Sequence, residues 1–313
     1  MTDQNSTYYL VDGSIYIFQS HFSPHVECVD ADGNELSAVY GFTQFLLQFL
    51  RRVKPDRIAV ALDESLFSGF RHDICSNYKS NRELPDENLA MQLKGCREIC
   101  SILGMASYTS KKYEADDIIG TLSVRMSKLL PGDPALCIVT RDKDLSQLLR
   151  TDKDYMWDYS GNRRRYRADI QEEFGVSPEQ FADYLGLVGD AVDCITGVPG
   201  VGPVKAKELL RNFASMDGIY ENLDAVAGLS LRGAAGLALK LEAHQAEARL
   251  SRKLATIICD ANDQHEGFAH AVPSSLEVAA IDISSFEKFL SNYKFTKNDS
   301  AHLLSVAERF SNE

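Results

Sequence analysis

The sequence has no CxxC pair, no run approaching the roughly 18 apolar residues of a membrane span, and no basic leader followed by an apolar core. Neither secretion nor membrane insertion is therefore expected. Its seven cysteines are odd in number and scattered, which excludes a disulfide framework and zinc-type spacing and points to free thiols in a reducing cytoplasm. Cys96 and Cys100, four apart in a helical pattern, share one face. Glycine (20) and proline (9) are too few for collagen or low complexity. Positive charge is in short supply: 33 Lys+Arg stand against 45 Asp+Glu, a formal charge of −12. Alone, that argues against a nucleic-acid partner, because binding phosphates calls for cations. What remains is an ordinary globular composition, 44% hydrophobic and 25% charged, long enough for one large domain or two packed ones.

The first half alternates β-type runs with helical patterns. TYYLV (7–11), RIAVAL (57–62), MASYT (105–109) and ALCIVT (135–140) are short and largely apolar on both faces, as strands of a covered parallel sheet are. Between them, 36–53, 87–104 and 114–130 have helical length and period. This alternation predicts an α/β domain over about 1–175. A β-type stretch at 155–168 carries Arg163, Arg164, Arg165 and Arg167, where a solvated hairpin is the ordinary reading and a duplex contact the alternative. Beyond 175 the strand signal fades. Helical patterns at 178–187, 203–213, 216–222 and 284–294, with an Ala/Leu-rich stretch at 229–258, predict a smaller helical domain over 176–313. Residues 64–86 break the α/β rhythm with basic residues and little apolar period, the mark of a functional or disordered loop.

The acids follow the strands. Asp12 ends the first and Asp63 the second; Glu114, Asp116 and Asp117 (YEADD) follow the third; Asp142 and Asp144 (TRDKD) follow the fourth; Asp190 and Asp193 form an i,i+3 pair in GDAVD. Carboxyl ends of parallel strands share one sheet edge, where ligands bind. Taken singly, Asp142 suits a helix N-cap and Asp12 a turn. As a set they repel, by about 4 kcal/mol for two bare carboxylates 4 Å apart at an effective dielectric near 20. Cations, or protonation of some members, must relieve this. All-oxygen donors select hard ions such as Mg²⁺ or Mn²⁺, and an ion pair about 3.5–4 Å apart is the usual apparatus for phosphodiester hydrolysis.

Residues 197–210, GVPGVGPVKAKELL, place Gly200 and Gly202 in a tight turn opening a helix, with Lys205 and Lys207 nearby. Free N–H groups at a helix N-terminus suit a phosphate, while an ordinary interhelical turn is the plainer reading. The position directly after GDAVD strengthens the first.

Together, LVDG (10–13), AVYGF (38–42), FRHDICSNYKSNR (70–82), YEADD, TRDKDLSQLL (140–149), FADYLGLVGD (181–190) and the 197–210 turn resemble the FEN-like 5′-nuclease family, which includes the 5′-nuclease domain of bacterial DNA polymerase I and stand-alone bacterial homologues. The resemblance runs from about Tyr8 to the Tyr220-Glu221-Asn222-Leu223 region and more weakly beyond. It implies a PIN-like, mainly parallel sheet flanked by helices, a helical arch at about 64–90, and a helix-three-turn-helix at about 187–213 holding duplex backbone. It implies that Asp12, Asp63, Glu114, Asp116 and Asp117 surround a first metal ion and Asp142, Asp144, Asp190 and Asp193 a second, several through water. The ions would be Mg²⁺, with Mn²⁺ able to substitute, and K⁺ would sit at the helix-three-turn-helix. Lys79 and Arg82 of the arch would act at the scissile phosphate, with Arg71, Tyr78, Gly200, Gly202, Lys205 and Lys207 binding DNA.

The implied activity is a 5′–3′ exonuclease and 5′-flap endonuclease leaving a 5′-phosphate and a 3′-hydroxyl. No serine or histidine nucleophile is needed, and His21, His25 and His72 are expected to be structural or surface residues. The implied partner is DNA with 5′ flaps, nicks or 5′ ends, acted on by a monomer, with any DNA polymerase a separate chain. Two alternatives stand beside this reading: a PIN-type ribonuclease, and a DNA-junction binder without catalysis, which would gain nothing from nine acids. The sequence departs from the family at Gln19, where an Arg is usual, and at Val192, Cys194 and Thr196, where Ser, Asn and Pro are usual. These changes bear on one phosphate contact and on the turn that would hold K⁺. Setting the nine acids aside leaves a formal charge of −3, and residues 51–82 carry seven Lys+Arg against four Asp+Glu. The acidity that spoke against nucleic acid is then partly a metal site.

Overall fold

A computed structural model describes residues 7–64 and 68–311. Four short strands, β1 (Tyr8–Asp12), β2 (Ile58–Asp63), β3 (Ala106–Ser110) and β4 (Leu136–Val139), lie parallel in the order β3-β2-β1-β4. Their β-branched and aliphatic residues are buried on both faces: Leu10, Val11, Val60, Ile138 and Val139 are all inaccessible, as crossover helices on a parallel sheet require. The helix Ser37–Val53 contributes Phe42, Leu46, Phe49 and Leu50 at helical spacing to this core. The strand order reverses at β1, with β2 on one side and β4 on the other. That reversal opens a crevice beyond the carboxyl ends of β1 and β4.

The helix Gly13–His21, which the sequence pattern does not signal, starts directly from β1. Gly13 permits this, because a Cβ there would lie 2.6 Å from Leu62 Cδ2 and 2.8 Å from Val60 Cγ1. The sheet belongs to a first compact unit, made of the described residues of Met1–Ser65, Leu84–Arg141 and Cys259–Glu313. The C-terminal helices Ile283–Asn292 and Lys297–Ser311 thus pack with the α/β elements, and Phe286, Phe289 and Leu290 join that core.

A second unit comprises the described residues of Leu66–Glu83 and Asp142–Ile258. It holds an antiparallel hairpin, β5 (Tyr155–Asp158) and β6 (Arg163–Tyr166), and the helices Phe181–Val188, Pro203–Phe213, Ala234–Ala243 and Gln245–Ala255. Two of these helices meet closely at Gly186, where a Cβ would lie 2.6 Å from Met216 Cε and 2.8 Å from Arg252 Cβ. Arg252 also pairs with Asp183 (3.3 Å) and Asp217 (2.9 Å). The packing groups the chain along different lines from the division at residue 175 drawn from the loss of strand signal. Residues 142–175 and the 68–83 segment fold with the helices, and 259–311 returns to the sheet. Residues 65–67 of the expected arch lie outside the described residues. Among those described, no helix is long and apolar enough to cross a membrane.

Candidate functional site

In the first unit, Asp12 and Asp63 stand at the carboxyl ends of the adjacent strands β1 and β2. Asp12 Oδ1 accepts from the Ile15 N–H (3.4 Å), capping the helix that follows, and its Oδ2 accepts from the Thr140 hydroxyl (2.9 Å) just past β4. This bond spans the point where strand order reverses. Asp63 Oδ1 accepts from the N–H of Ala115 (2.8 Å), the first residue of the helix Ala115–Leu129, and its own N–H donates to Ser14 Oγ (2.9 Å). Asp117 Oδ2 accepts from the Glu114 N–H (3.1 Å). Asp12, Glu114 and Asp117 are buried, and Asp116 is half-buried. All five acids thus belong to one sheet edge and to the helix N-terminus that follows β3. Capping and metal binding are compatible here, since a carboxylate offers about four lone-pair sites.

The second unit holds the other four. Asp142 Oδ1 accepts from the Asp144 N–H (2.9 Å), as an N-cap, and Asp190 Oδ1 from the Val192 N–H (2.8 Å). Lys143 lies across two of the acids: its Nζ is 2.6 Å from Asp190 Oδ2 and 3.1 Å from Asp144 Oδ1. Burial, reinforced by the charge of Asp142, pushes the Asp144 carboxyl up to about 7 against the pull of Lys143. At Asp190 burial acts in the same sense, but Lys143 outweighs it and the carboxyl is held below its ordinary range. Burial alone would lower the Lys143 ammonium; Asp144 and Asp190 override it and hold that group above its usual range.

Asp193 gathers the arch cations. Arg82 Nη2 donates to its Oδ1 (3.0 Å), and Lys79 Nζ lies 3.8 Å from its Oδ2. The Lys79 N–H donates to the Asp193 carbonyl (3.0 Å), Asn81 Nδ2 to the Val192 carbonyl (3.1 Å), and the Ser80 hydroxyl meets Cys194 Sγ (3.8 Å). Residues 79–82 are thereby seated on the 190–194 loop. Both Lys79 and Cys194 take left-handed backbone conformations to do so, with φ of 49° and 56°. Asn, usual in the family at position 194, tolerates that region better than Cys.

Two of the predicted DNA contacts face inward. Arg71, 3% exposed, donates from Nε to the Leu254 carbonyl (2.8 Å) and from Nη2 to the Thr256 carbonyl (2.9 Å), satisfying the C-terminus of the helix Gln245–Ala255. Tyr78 is also 3% exposed, its ring lying beneath Lys79 and edge-on to His72. The arginines of β6 are occupied as well. Arg163 and Arg165 pair with Glu173 (3.3 and 3.8 Å), while Arg164 lies 5.0 Å over the Trp157 ring.

Gly189 and Gly197 close the loop between Asp190 and the turn that follows, both with positive φ; a Cβ on Gly197 would sit 2.4 Å from the Gly189 nitrogen. Gly200 takes φ +80°, and its carbonyl accepts from Lys205 Nζ (2.9 Å). Gly202 is the N-cap of Pro203–Phe213, and a Cβ there meets nothing within 4 Å, so that face of the turn is open. The methylenes of Lys207 pack over Gly175. Sequence reasoning missed Lys143, Thr140 and Ser14. Only Lys143 carried a signal, its place between two acids.

Among the described residues, no three His, Cys, Asp or Glu side chains are drawn together closely enough to hold a metal ion unaided. The donors present are nevertheless of the right kind. They are carboxylate oxygens, with no thiol or imidazole among them, and in the second unit a cation, the Lys143 ammonium, already bridges two of them. This chemistry fits a hard divalent ion.

Residues 7–175 match the family described as "5'-3' exonuclease, N-terminal resolvase-like domain", and residues 176–272 match "5'-3' exonuclease, C-terminal SAM fold". The chain is 32% identical over 257 residues to the 5'-3' exonuclease of Buchnera aphidicola subsp. Acyrthosiphon pisum, covering 82% of this chain and 88% of that one. It is 35% identical over 260 residues to DNA polymerase I of Bacillus subtilis, covering 80% of this chain but 28% of the polymerase. Its fold matches that of a bacteriophage T5 flap endonuclease solved with DNA and metal ions, with a TM-score of 0.61 and 17% identity, covering 98% of this chain and 100% of the other.

Proposed function

This chain belongs to the 5′-3′ exonuclease family, and from that premise we propose that it hydrolyses DNA at 5′ ends, nicks and 5′ flaps, leaving a 5′-phosphate and a 3′-hydroxyl. The observation that carries this reading is the placement of Asp12, Asp63, Glu114, Asp116 and Asp117 at the carboxyl edge of β1–β3, which ends at β1, the strand where the order reverses. These five would hold one Mg²⁺, with Mn²⁺ able to replace it. Asp142, Asp144, Asp190 and Asp193 would hold a second. Two bound ions of this kind supply Lewis-acid activation of water and offset charge on the scissile phosphate.

The chain's own residues do the rest. Thr140 and the Ile15 N–H fix the orientation of Asp12, and the Ala115 N–H fixes Asp63. Lys79 and Arg82, drawn to Asp193 in the free protein, turn to the phosphate and offset the charge that grows there. The open face at Gly202 receives duplex backbone, a contact that carries no base code. Carbonyls of the 197–202 turn would take K⁺. One relative is the DNA polymerase I of Bacillus subtilis, and a DNA polymerase is accordingly a partner to test. The seven free thiols suit a reducing compartment.

Incubation with a 5′-flap DNA tests the reading. Cleavage is expected with Mg²⁺ and not with chelator. Asp116→Ala and Asp144→Ala should each lose at least about 10²-fold in rate, the scale of removing one preorganised electrostatic contact. A wild-type protein inert in Mg²⁺ refutes the nuclease, and preferential cleavage of a matched RNA replaces the DNA substrate with RNA.

A further inference from the structure

We propose that Lys143 is the resident counter-ion of the second carboxylate group and that a divalent ion enters that group only by displacing it. This rests on the reading of Asp144 and Asp190 as metal-holding acids.

Lys143 Nζ makes its two contacts with acids from separate segments, Asp144 in the turn after the N-cap Asp142 and Asp190 in the loop after the helix Phe181–Val188. The two acid side chains are 13% and 8% exposed, so water screens them poorly. With no cation between them they would repel across a poorly screened gap. Lys143 supplies that cation from within the chain. Its side chain is 38% exposed, and lysine is a hydrated point charge on a flexible stem, not a planar fork locked to its partners. It can therefore swing to solvent. A doubly charged ion bound by Asp144 and Asp190 would sit within a few ångströms of the ammonium, and like charges at that distance repel. One of the two must leave. Asp193 has its own cations in Lys79 and Arg82, so three side-chain cations face the four acids until an ion arrives, and metal loading becomes an exchange of cations.

The exchange is measurable without any reaction. Full-length protein is titrated with Mn²⁺ by calorimetry in the absence of DNA, comparing wild type, Lys143→Met, Lys143→Arg and Asp190→Asn. Lys143→Met should bind Mn²⁺ at the second group at least tenfold more tightly, and its metal-free melting temperature should fall and be restored by saturating Mn²⁺. Lys143→Arg, which keeps the charge on a fork less readily displaced, should bind Mn²⁺ no more tightly than wild type. A structural role alone would lower stability without tightening the metal. If Lys143→Met binds Mn²⁺ no more tightly than wild type, the exchange is refuted. If Asp190→Asn leaves Mn²⁺ binding unchanged, the reading of Asp190 as a metal-holding acid fails, whatever Lys143 does. Acylation of wild type needs no variant. The Lys143 amine should react several-fold faster with an N-hydroxysuccinimide ester once Mg²⁺ is added, and an unchanged rate overturns the proposal.

Discussion

Arg71 separates the two uses of a basic residue. Sequence pattern places it in a basic insertion, beside Tyr78, Lys79 and Arg82, and so among the DNA contacts. Its guanidinium is instead spent on two backbone carbonyls that the helix Gln245–Ala255 leaves without intrahelical donors. The residues it serves lie more than 180 positions away, which no local pattern encodes. Arg71→Ala removes two charge-assisted bonds from a buried site and should cost about 2–4 kcal/mol, read as a lower denaturant midpoint. Weaker DNA binding at unchanged stability would instead restore it to the interface. The acids were legible for the opposite reason: a strand-end carboxylate is a local feature. Cysteine follows burial in the same way. Burial pushes the Cys28 and Cys100 thiols up to about 12 and Cys96 well above its usual range. A raised thiol pKa lowers the thiolate fraction, to about one in ten thousand at pH 8, and the thiolate is the reactive form. Iodoacetamide at pH 8 should label the half-buried Cys75, Cys194 and Cys259 and spare Cys28, Cys96 and Cys100 until denaturant is added. Mass spectrometry of the labelled peptides checks this.

At the scale of elements, the four parallel strands were readable within a residue or two, because each is a short apolar run between helical periods. The helix Gly13–His21 was not, since its start depends on Gly13 fitting against Val60 and Leu62 of a different strand. The 155–168 stretch resolves into a hairpin whose arginines are held by Glu173 and by aromatic rings. The 68–83 segment is the instructive case. Read alone it is irregular and basic; in the fold its 79–82 stretch is tied to the 190–194 loop through one acid, Asp193, two main-chain or amide contacts and the Ser80 hydroxyl on Cys194 Sγ. Asp193→Asn removes both ion pairs and keeps the backbone bond from Lys79. Partly exposed pairs of this kind contribute at most about 1 kcal/mol each, so global stability should hardly move. The local effect should be larger. Protease cleavage within 76–84 of the metal-free variant should accelerate severalfold over wild type, and an unchanged rate would show that Asp193 does not hold the segment.

For the whole molecule, position adds to two inferences drawn from averages. A net charge of −12 counts acids gathered at a candidate metal site as if they were spread over the surface. The change from strand to helix after residue 175 likewise suggests that everything beyond it forms one helical domain, whereas 259–311 packs with the parallel sheet. The return is made by contacts between distant residues. The Ala279 N–H donates to the Gly104 carbonyl (2.9 Å), the Asp282 N–H to the Ile102 carbonyl (3.0 Å), and Glu266 Oε1 accepts from the Ser110 hydroxyl (2.5 Å). Gly104, at φ +76°, allows that approach, since a Cβ there would lie 2.1 Å from the Ala279 oxygen. Phe268, Leu276, Phe286, Phe289 and Leu290 are all buried in consequence. Burying a side chain of this size contributes about 1.5–3 kcal/mol, so the five together contribute on the order of 10 kcal/mol, comparable with the whole stability of a domain. A chain truncated after Ile258 keeps all nine candidate acids and every arch and turn residue discussed above. It should nonetheless lose the first unit: a broadened or absent thermal transition by circular dichroism, and loss of flap cleavage with it. A truncated chain that melts cooperatively at the full-length temperature would show that the returning segment is an appendage to the sheet and not part of its core.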